Sequence, residues 1–280
     1  MKRKKFVILI SILLVVTLII VLASTVFTLK TLSFNFLNER YVYASKTDDD
    51  YVKNVKVPYG ESIFLLNKKD LISDLEKSNA YLQVVSIETT FPSNIVVHVA
   101  EREELYAIKL SDNNYAITDK SLKILRFCDN AYLLRSDYLA PIVVDVRYDD
   151  FDISDGKYEL CDTIDEPHVT EILGSLSDAF EIAGYNTTTL KGFATKIVLQ
   201  ERGSFVSGES ETYDLVFTKT IEITTKYGIK ISINDAYNNL DQKLALGVVA
   251  YEREHDKHNT TGEVLVYVTG NRILARYRQD

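Results

Sequence analysis

The sequence has no tryptophan, a single methionine and only two cysteines among its 280 residues. Four prolines and eleven glycines are too few for a collagen-like or low-complexity chain. Two cysteines are too few for a disulfide-dense small domain. With 46% hydrophobic residues, the composition is that of an ordinary globular protein with enough apolar material for a core.

Positive charge is outnumbered by negative charge, with 32 Lys and Arg against 40 Asp and Glu. The formal net charge is −8, and the basic cluster Lys2-Arg3-Lys4-Lys5 lies at the very start of the chain. Without these four residues the remainder is more acidic still. A nucleic-acid ligand is disfavoured, because phosphate binding requires a basic surface.

Catalytic and metal-binding motifs are missing. The sequence has no His-Glu-x-x-His, Gly-x-Ser-x-Gly, Gly-x-x-x-x-Gly-Lys or Cys-x-x-Cys. Ser154 and Lys157 have the Ser-x-x-Lys spacing, but Asp155-Gly156 between them favours a turn. The acidic run Asp149 to Asp152 fits a solvated loop better than a calcium loop, because Ile153 stands where a ligand is required. We therefore expect no catalytic residues, no cofactor and no metal.

The longest hydrophobic run extends from Phe6 to Leu29 without a charge. As an α-helix it is about 36 Å long, and a bilayer core is about 30 Å thick. The run predicts a single membrane-spanning helix, with residues 1–5 cytoplasmic and the rest extracytoplasmic, because Lys and Arg stay on the inner side. The alternative is a secretory signal cleaved near Val21-Leu22-Ala23, although signal cores are shorter, at about 7 to 15 residues.

An extracytoplasmic position bears on the cysteines. Cys128 and Cys161 would then lie in an oxidising compartment and could form one disulfide. Two separate buried thiols are equally compatible with the sequence.

The segment after this run predicts a small module of strands and helices. Leu32, Phe34 and Phe36 alternate with polar residues as in a strand. A short helix around Tyr51 follows, and then a helix from Lys69 to about Lys77 with Asn67 as its N-cap. Two strands, Leu82 to Phe91 and Asn94 to Arg102, form the clearest hairpin in the chain, with Ile95, Val97 and Val99 on one face.

The module resembles a known family. The stretch from Gly60-Glu61-Ser62-Ile63-Phe64, followed by a helix and by the hairpin ending in Ala100-Glu101-Arg102, is similar to the POTRA module of the bacterial division proteins FtsQ/DivIB. Asn114 to Asp119 with Ile124-Leu125, and Pro141 to Val143, resemble the hairpin and strand that follow in that family.

The remainder predicts a β-rich domain with two main helices. Val169, Ile172, Leu173, Leu176, Phe180 and Ala183 form one helical stripe, and a second helix is predicted from Ala236 to Tyr251. Strands are predicted at residues 195–200, 213–217, 220–226, 229–233, 263–268 and 273–277. Tyr227 to Ile231, Asn239 to Leu244 and Gly262 to Val266 resemble the final motifs of the same family in the same order.

These observations predict an α+β chain in four parts. They are a cytoplasmic tail (1–5), a transmembrane helix (6–29), a POTRA module of two helices on a three-stranded sheet (30–103), and a β-domain (104–280). The resemblance implies a non-enzymatic scaffold of the division septum in the cell membrane that recruits small bitopic partners resembling FtsB/DivIC and FtsL. The alternatives are a different POTRA-bearing assembly or export factor and, less compatible with the motif search, an anchored enzyme.

The resemblance also implies where partners bind. In that family, strands and a helix near the C-terminus bind partners by strand addition. The strand from Glu263 to Val268 is apolar on both faces, so it is either an exposed edge strand or a central strand covered on both sides. We predict that the partner-binding residues are Val264, Leu265, Val266, Tyr267 and Val268, with Lys243 and Leu244 of the preceding helix.

Overall fold

Apolar side chains collect in separate cores, and the computed structural model divides into two units, Met1–Arg102 and Glu103–Asp280. It describes residues 2–130, 140–147, 156–207 and 213–279. Ser154 of the Ser-x-x-Lys pattern and the acidic run Asp149 to Asp152 lie outside the described residues.

The predicted membrane-spanning helix from Phe6 to Leu29 is not supported. A helix, α1, extends over Lys2–Thr25, so it ends before Leu29, where the prediction placed its end. No described helix combines the length and apolar character needed to cross a bilayer. Leu29 is not helical at all: it is 1% exposed, in the core of the first unit. Its amide donates to the Glu61 carbonyl oxygen at 2.9 Å, so this end of the apolar run belongs to a folded module.

The rest of the first unit is a three-stranded sheet backed by two helices. Its elements are β1 (Thr31–Phe36), α2 (Asp48–Val52), α3 (Lys68–Ser78), β2 (Leu82–Thr90) and β3 (Asn94–Glu101). The strand order is β1-β3-β2, with β1 parallel and β2 antiparallel to β3. The predicted N-cap is confirmed, because the Asn67 side chain accepts hydrogen bonds from the amides of Lys69 and Asp70.

The predicted hairpin is confirmed, and its first strand contains a bulge. Ile95, Val97 and Val99 are buried as expected. On β2 a bulge lies between Val84 and Ser86, so the alternation shifts by one residue and Val85 is exposed. A bulge adds an unpaired residue to one strand, which simple alternation does not predict.

Glu101 and Arg102, at the end of β3, tie neighbouring segments to the sheet. The buried carboxylate of Glu101 accepts hydrogen bonds from the amides of Tyr41, Val42 and Tyr43 at 2.8 to 2.9 Å. The Arg102 guanidinium pairs with the Glu76 carboxylate of α3 at 3.2 Å. This Glu-Arg pair therefore has a structural role in holding the loop after β1 and helix α3.

The second unit contains a nine-stranded sheet among its described residues. Its strands are β4 (Tyr106–Lys109), β5 (Tyr115–Thr118), β6 (Ile124–Cys128), β7 (Ile142–Arg147), β8 (Ala194–Ser207), β9 (Tyr213–Thr225), β10 (Lys230–Asn234), β11 (Glu263–Thr269) and β12 (Arg272–Arg278). The order across the sheet is β12-β11-β10-β9-β8-β7-β4-β5-β6. Three helices accompany it, α4 (Pro167–Ile182), α5 (Thr187–Phe193) and α6 (Leu240–Asp256).

One face of this sheet carries the core. Ile197, Ile223, Ile231 and Val264 are register neighbours across β8 to β11, and all are buried in one cluster with residues of α4 and α6. The predicted stripe of α4 is confirmed from Val169 to Phe180. On β9 and β10 the opposite face carries polar residues such as Glu222 and Ser232. At β4 and β5 it carries a second, small apolar cluster of Ala107, Tyr115 and Ile117.

Three details of the second unit differ from prediction. The runs at residues 213–217 and 220–226 form one continuous strand, β9. Helix α6 begins at Leu240 rather than Ala236, and the connection before it places Asp235 and Asn239 at positive φ. Helix α5 was not predicted, although Asn186 caps it with a side-chain hydrogen bond to the Thr189 amide.

The structure has no disulfide between Cys128 and Cys161. Burial raises the pKa of the Cys128 thiol above its ordinary value, which keeps it protonated at neutral pH and lowers its reactivity. The alternative of two separate thiols therefore describes this fold.

Replacing Glu101 with Ala should destabilise the first unit by about 1 to 3 kcal/mol, because three loop amides lose their buried acceptor. The measurement is chemical denaturation of the full chain followed by circular dichroism. Glu61→Ala is the matched control, since Glu61 is exposed, and it should change stability little. Equal midpoints for the two variants would contradict the role given to Glu101.

Candidate partner-binding site at the C-terminal edge of the second sheet

The strand predicted to bind partners, β11, lies inside the sheet. It pairs with β10 in parallel from Glu263 to Val266 and with β12 antiparallel along its whole length. Its backbone ladders are therefore occupied on both sides. The assumption that this strand is an edge is wrong, and the alternative of a central strand is the one that the structure adopts.

The side chains predicted to bind partners are unequally accessible. Val264 and Val266 are buried in the core with Leu244 of α6. Leu265 and Tyr267 are half-buried on the other face of the sheet, and Val268 is exposed. In this strand, a partner can therefore directly contact the side chains of Leu265, Tyr267 and Val268.

Lys243 is 0% exposed despite its charge. Its ammonium group donates to the carbonyl oxygens of Asn234 and Asp235 at 3.1 and 2.6 Å and lies 3.5 Å from the Asp235 carboxylate. A buried charge is tolerated only when it is paired in this way. Lys243 therefore holds the connection between β10 and α6 in place and offers no surface to a partner.

One edge of the sheet is β12, and no described strand pairs with its outer side. A two-residue turn, Gly270-Asn271, connects it to β11, with Gly270 at a φ of +58°. Such a turn closes on a hydrogen-bonded pair, here Thr269 and Arg272, and hydrogen-bonded pairs alternate along an antiparallel ladder. The amides of Ile273, Ala275 and Tyr277 therefore point away from β11, toward the edge.

The two faces of β12 differ in chemistry. Ile273, Ala275 and Tyr277 pack against the core, whereas Arg272, Leu274, Arg276 and Arg278 are exposed on the other face. The edge strand thus combines outward backbone donors and acceptors with a row of arginines and one exposed leucine.

Two glycines allow this end of the sheet to pack closely. A Cβ atom on Gly247 of α6 would lie 2.9 Å from Ile231 and 3.2 Å from Val266, so the helix approaches β10 and β11 because this side chain is absent. A Cβ on Gly262, at a φ of +111°, would lie 2.7 Å from the Arg278 carbonyl oxygen. Gly262 therefore lets the end of β12 lie against the start of β11.

Charged side chains connect the strands on the uncovered face. Glu263 is buried and accepts hydrogen bonds from Ser232 of β10 and Arg278 of β12. Arg202 of β8 pairs with Glu222 of β9 at 2.9 Å and approaches Glu263 at 3.8 Å. This row of charges extends over five neighbouring strands and fixes the position of the edge strand.

Asp145 of β7 is the centre of a second ion-pair group on the same face. The carboxylate lies 2.7 Å from Arg147 and 3.2 Å from Lys196. Burial raises its pKa, but hydrogen bonds from Arg147 and Lys196 outweigh that effect, so the net pKa is lower than usual. The carboxylate is therefore ionised at neutral pH.

The described residues contain no group of His, Cys, Asp and Glu side chains that could hold a metal ion. A cavity of about 150 Å³ lies in the second unit, lined in part by Lys120, Ser177, Glu181 and Tyr185. Ligand pockets usually measure about 300 to 1,000 Å³. Lys120 and Glu181 are 3.8 Å apart and mostly exposed, an arrangement typical of a surface ion pair.

The accessible edge could have been found from the sequence by one signal. The sequence predicts a strand at residues 273–277 shortly after the strand at residues 263–268, and two strands joined by a tight turn pair with each other, which occupies one side of the earlier strand. The apolar character of residues 263–268 does not indicate an edge strand, because strands that are buried on both faces of a sheet are also apolar.

The architecture defines a class: a small helix-backed module followed by a larger β-rich unit with an accessible C-terminal edge. Residues 44–102 match the family model described as POTRA domain, FtsQ-type. The first unit therefore contains an FtsQ-type POTRA domain, which supports the FtsQ/DivIB resemblance and a division-related POTRA protein. A comparison with curated proteins gives no match.

Replacing Asp145 with Asn should lower stability at neutral pH by about 1 kcal/mol, because two cations lose their shared partner. The lowered pKa means that the native carboxylate stabilises the fold above its unfolded pKa, and that this contribution disappears as the pH falls through the folded value. The free energies of unfolding of the two proteins, measured from pH 7 to 3, should therefore converge at the acid end.

Asp112→Asn provides the control, since the side chain of Asp112 is fully exposed in its pair with Lys109. Its unfolding curve should stay close to that of the original chain at every pH. A constant difference between Asp145→Asn and the original chain across the pH range would show that the charge of Asp145 is not responsible.

Proposed function

We propose that this protein is a non-enzymatic scaffold of bacterial cell division, located at the division site. In this proposal its C-terminal unit recruits small bitopic division proteins resembling FtsB/DivIC and FtsL by adding one of their strands to the edge of β12. The FtsQ-type POTRA domain supports a role in protein–protein interaction during division.

The accessible edge of β12 is the observation that carries the proposal. An exposed edge presents unpaired backbone donors and acceptors, and proteins usually protect such an edge or use it for recruitment. In β12 the outward amides of Ile273, Ala275 and Tyr277 are spaced to pair with an extended segment. The charges on Glu263 and Arg278 and the glycine at position 262 fix the strand in place, so a partner meets a preformed template.

The side chains of β12 suggest the chemistry of the added strand. Arg272 and Arg276 are exposed on the uncovered face, and Leu274 lies between them. A partner segment that carries acidic residues around a central apolar residue matches this row. Each pair of opposite charges on adjacent strands contributes a few tenths to about 1 kcal/mol. Such pairs set the register of the added strand more than they raise its affinity.

Replacing Ala275 with Pro should reduce recovery of the FtsB/DivIC-like and FtsL-like partners of the same cell at least tenfold in co-purification from detergent. Proline lacks the amide that points to the edge. It leaves the β11–β12 hydrogen bonds intact, because the Ala275 amide is not part of that ladder, and proline is tolerated at this kind of edge position.

Ala275→Thr is the matched control, because it also enlarges the side chain but keeps the amide. Circular dichroism and the thermal midpoint establish that both variants are folded. If folded Ala275→Pro recovers the partners as well as Ala275→Thr does, strand addition at β12 is wrong.

A fluorescent fusion of the full chain should concentrate at midcell in dividing cells. A division scaffold acts at one place in the envelope, whereas a general POTRA-bearing assembly or export factor acts over the whole surface. A uniform signal around cells that divide normally would favour the assembly or export function. A fusion of the Ala275→Pro variant, observed in parallel, tests whether placement depends on partner binding.

A further inference from the structure

Three aromatic rings form a cluster at one end of the first unit, in which Phe27 is half-buried against the core and Phe64 and Phe91 are exposed. The ring centroids of Phe27, Phe64 and Phe91 are 5.4 to 6.2 Å apart. Phe64 and Phe91 are each 60% exposed, and Leu65 beside them is 85% exposed. With Val26, which is also exposed, these side chains form a surface that we call the aromatic patch: Val26, Phe27, Phe64, Leu65 and Phe91.

The patch is held in a fixed position by the backbone. The Ile63 amide donates to the Phe27 carbonyl oxygen at 2.9 Å, and Thr28 forms a bridge with Ser62. On the other side the Lys30 amide donates to the Ser93 carbonyl oxygen at 2.9 Å. Three separate segments of the chain are thereby joined so that their large apolar side chains face outward together. Contiguous exposed apolar surfaces of this kind mark sites of interaction.

The chain next to the patch indicates which kind of partner covers it. Helix α1 ends at Thr25, and the patch begins at Val26. In the described part of α1, Ile10, Leu13, Leu14, Val16, Leu18, Ile19 and Ile20 are all exposed. These residues occupy every side of the helix, so the helix lacks the single apolar stripe by which helices dock into a protein groove. An apolar phase that surrounds the helix, such as lipid, suits this surface better.

We propose that the aromatic patch, which begins where α1 ends, inserts into the surface of a lipid bilayer. Phe and Leu side chains at the boundary between headgroups and acyl chains are typical of interfacial contact. Such contact does not require any helix to cross the bilayer. Nearby exposed charges are of both signs, Lys30, Lys68 and Glu61, so the contact depends on apolar burial rather than on anionic headgroups. This proposal is independent of strand addition at β12.

The fold supplies an internal comparison. Asn94 begins β3 and Phe91 lies in the turn just before it, whereas the loop that contains Tyr41 is bound to Glu101 at the other end of the strand. At about 3.3 Å per residue, the two ends of β3 are roughly 23 Å apart. If the patch lies in the bilayer surface, Tyr41, which is 75% exposed, is in water.

The absence of tryptophan from the chain makes a single-tryptophan experiment possible. Phe64→Trp, Leu65→Trp and Tyr41→Trp are each introduced into the full chain, which is reconstituted in phosphatidylcholine vesicles with or without lipids brominated near the headgroup. We expect at least twofold quenching of Trp fluorescence by the brominated lipid in Phe64→Trp and Leu65→Trp. Tyr41→Trp should be quenched little.

The outcomes are distinct. Quenching at positions 64 and 65 that is insensitive to added salt supports the proposal. Equal quenching in all three variants, or none at positions 64 and 65, overturns it. Emission that shifts to the blue with protein concentration but is not quenched by brominated lipid also overturns it, because it shows that a second copy covers the patch. Thermal unfolding of each variant verifies that the reporters leave the fold intact.

Discussion

The crossover from β10 through α6 to β11 determines what the C-terminal half of this protein presents to its surroundings. Parallel strands require such a crossover, and α6 can lie against both strands because Gly247 has no side chain to separate them. Once β10 and β11 are paired in parallel, the tight turn at Gly270 places β12 on the remaining side of β11. The last strand therefore becomes the border of the sheet, and the buried ammonium group of Lys243 fixes the connection that precedes the helix.

Ion pairs stabilise this arrangement on the face of the sheet opposite to α4 and α6. Glu263 and Glu222 each have two partners from adjacent strands, and Asp145 has one, Lys196 of β8, besides Arg147 of its own strand. Isolated surface ion pairs contribute little, but pairs that connect neighbouring strands restrict how the strands slide. The edge strand is thus held in register from one side by apolar packing and from the other by ion pairs, which makes it a rigid template for an added strand.

The first unit is organised by a different requirement. Its core is closed by aromatic rings around Tyr51, with Phe34, Phe36 and Tyr43 at centroid distances of 4.9 to 5.5 Å, and Glu101 secures the loop that carries Tyr43. The opposite end of the same sheet leaves Phe64, Leu65 and Phe91 outside. The first unit thus has hydrogen-bonded polar groups around Glu101 at one end and exposed apolar side chains at the other. This asymmetry suits the proposed contact with a bilayer surface.

The sequence by itself determined the α+β class, the hairpin, the cap of α3, the stripe of α4, the presence of α6 and the POTRA-like order of elements, because each depends on the spacing of neighbouring residues. Tertiary structure decided the rest. In sequence, Val26 to Leu29 resemble the end of an apolar helix. In the structure they are not helical, because Leu29 packs in the core of the first unit and its amide donates to the Glu61 carbonyl oxygen. Likewise, Val264 and Val266 are apolar whether their strand is central or at an edge. Only the pairing of distant strands decides which backbone groups remain accessible, since hydrogen bonds between strands join residues that no local pattern connects.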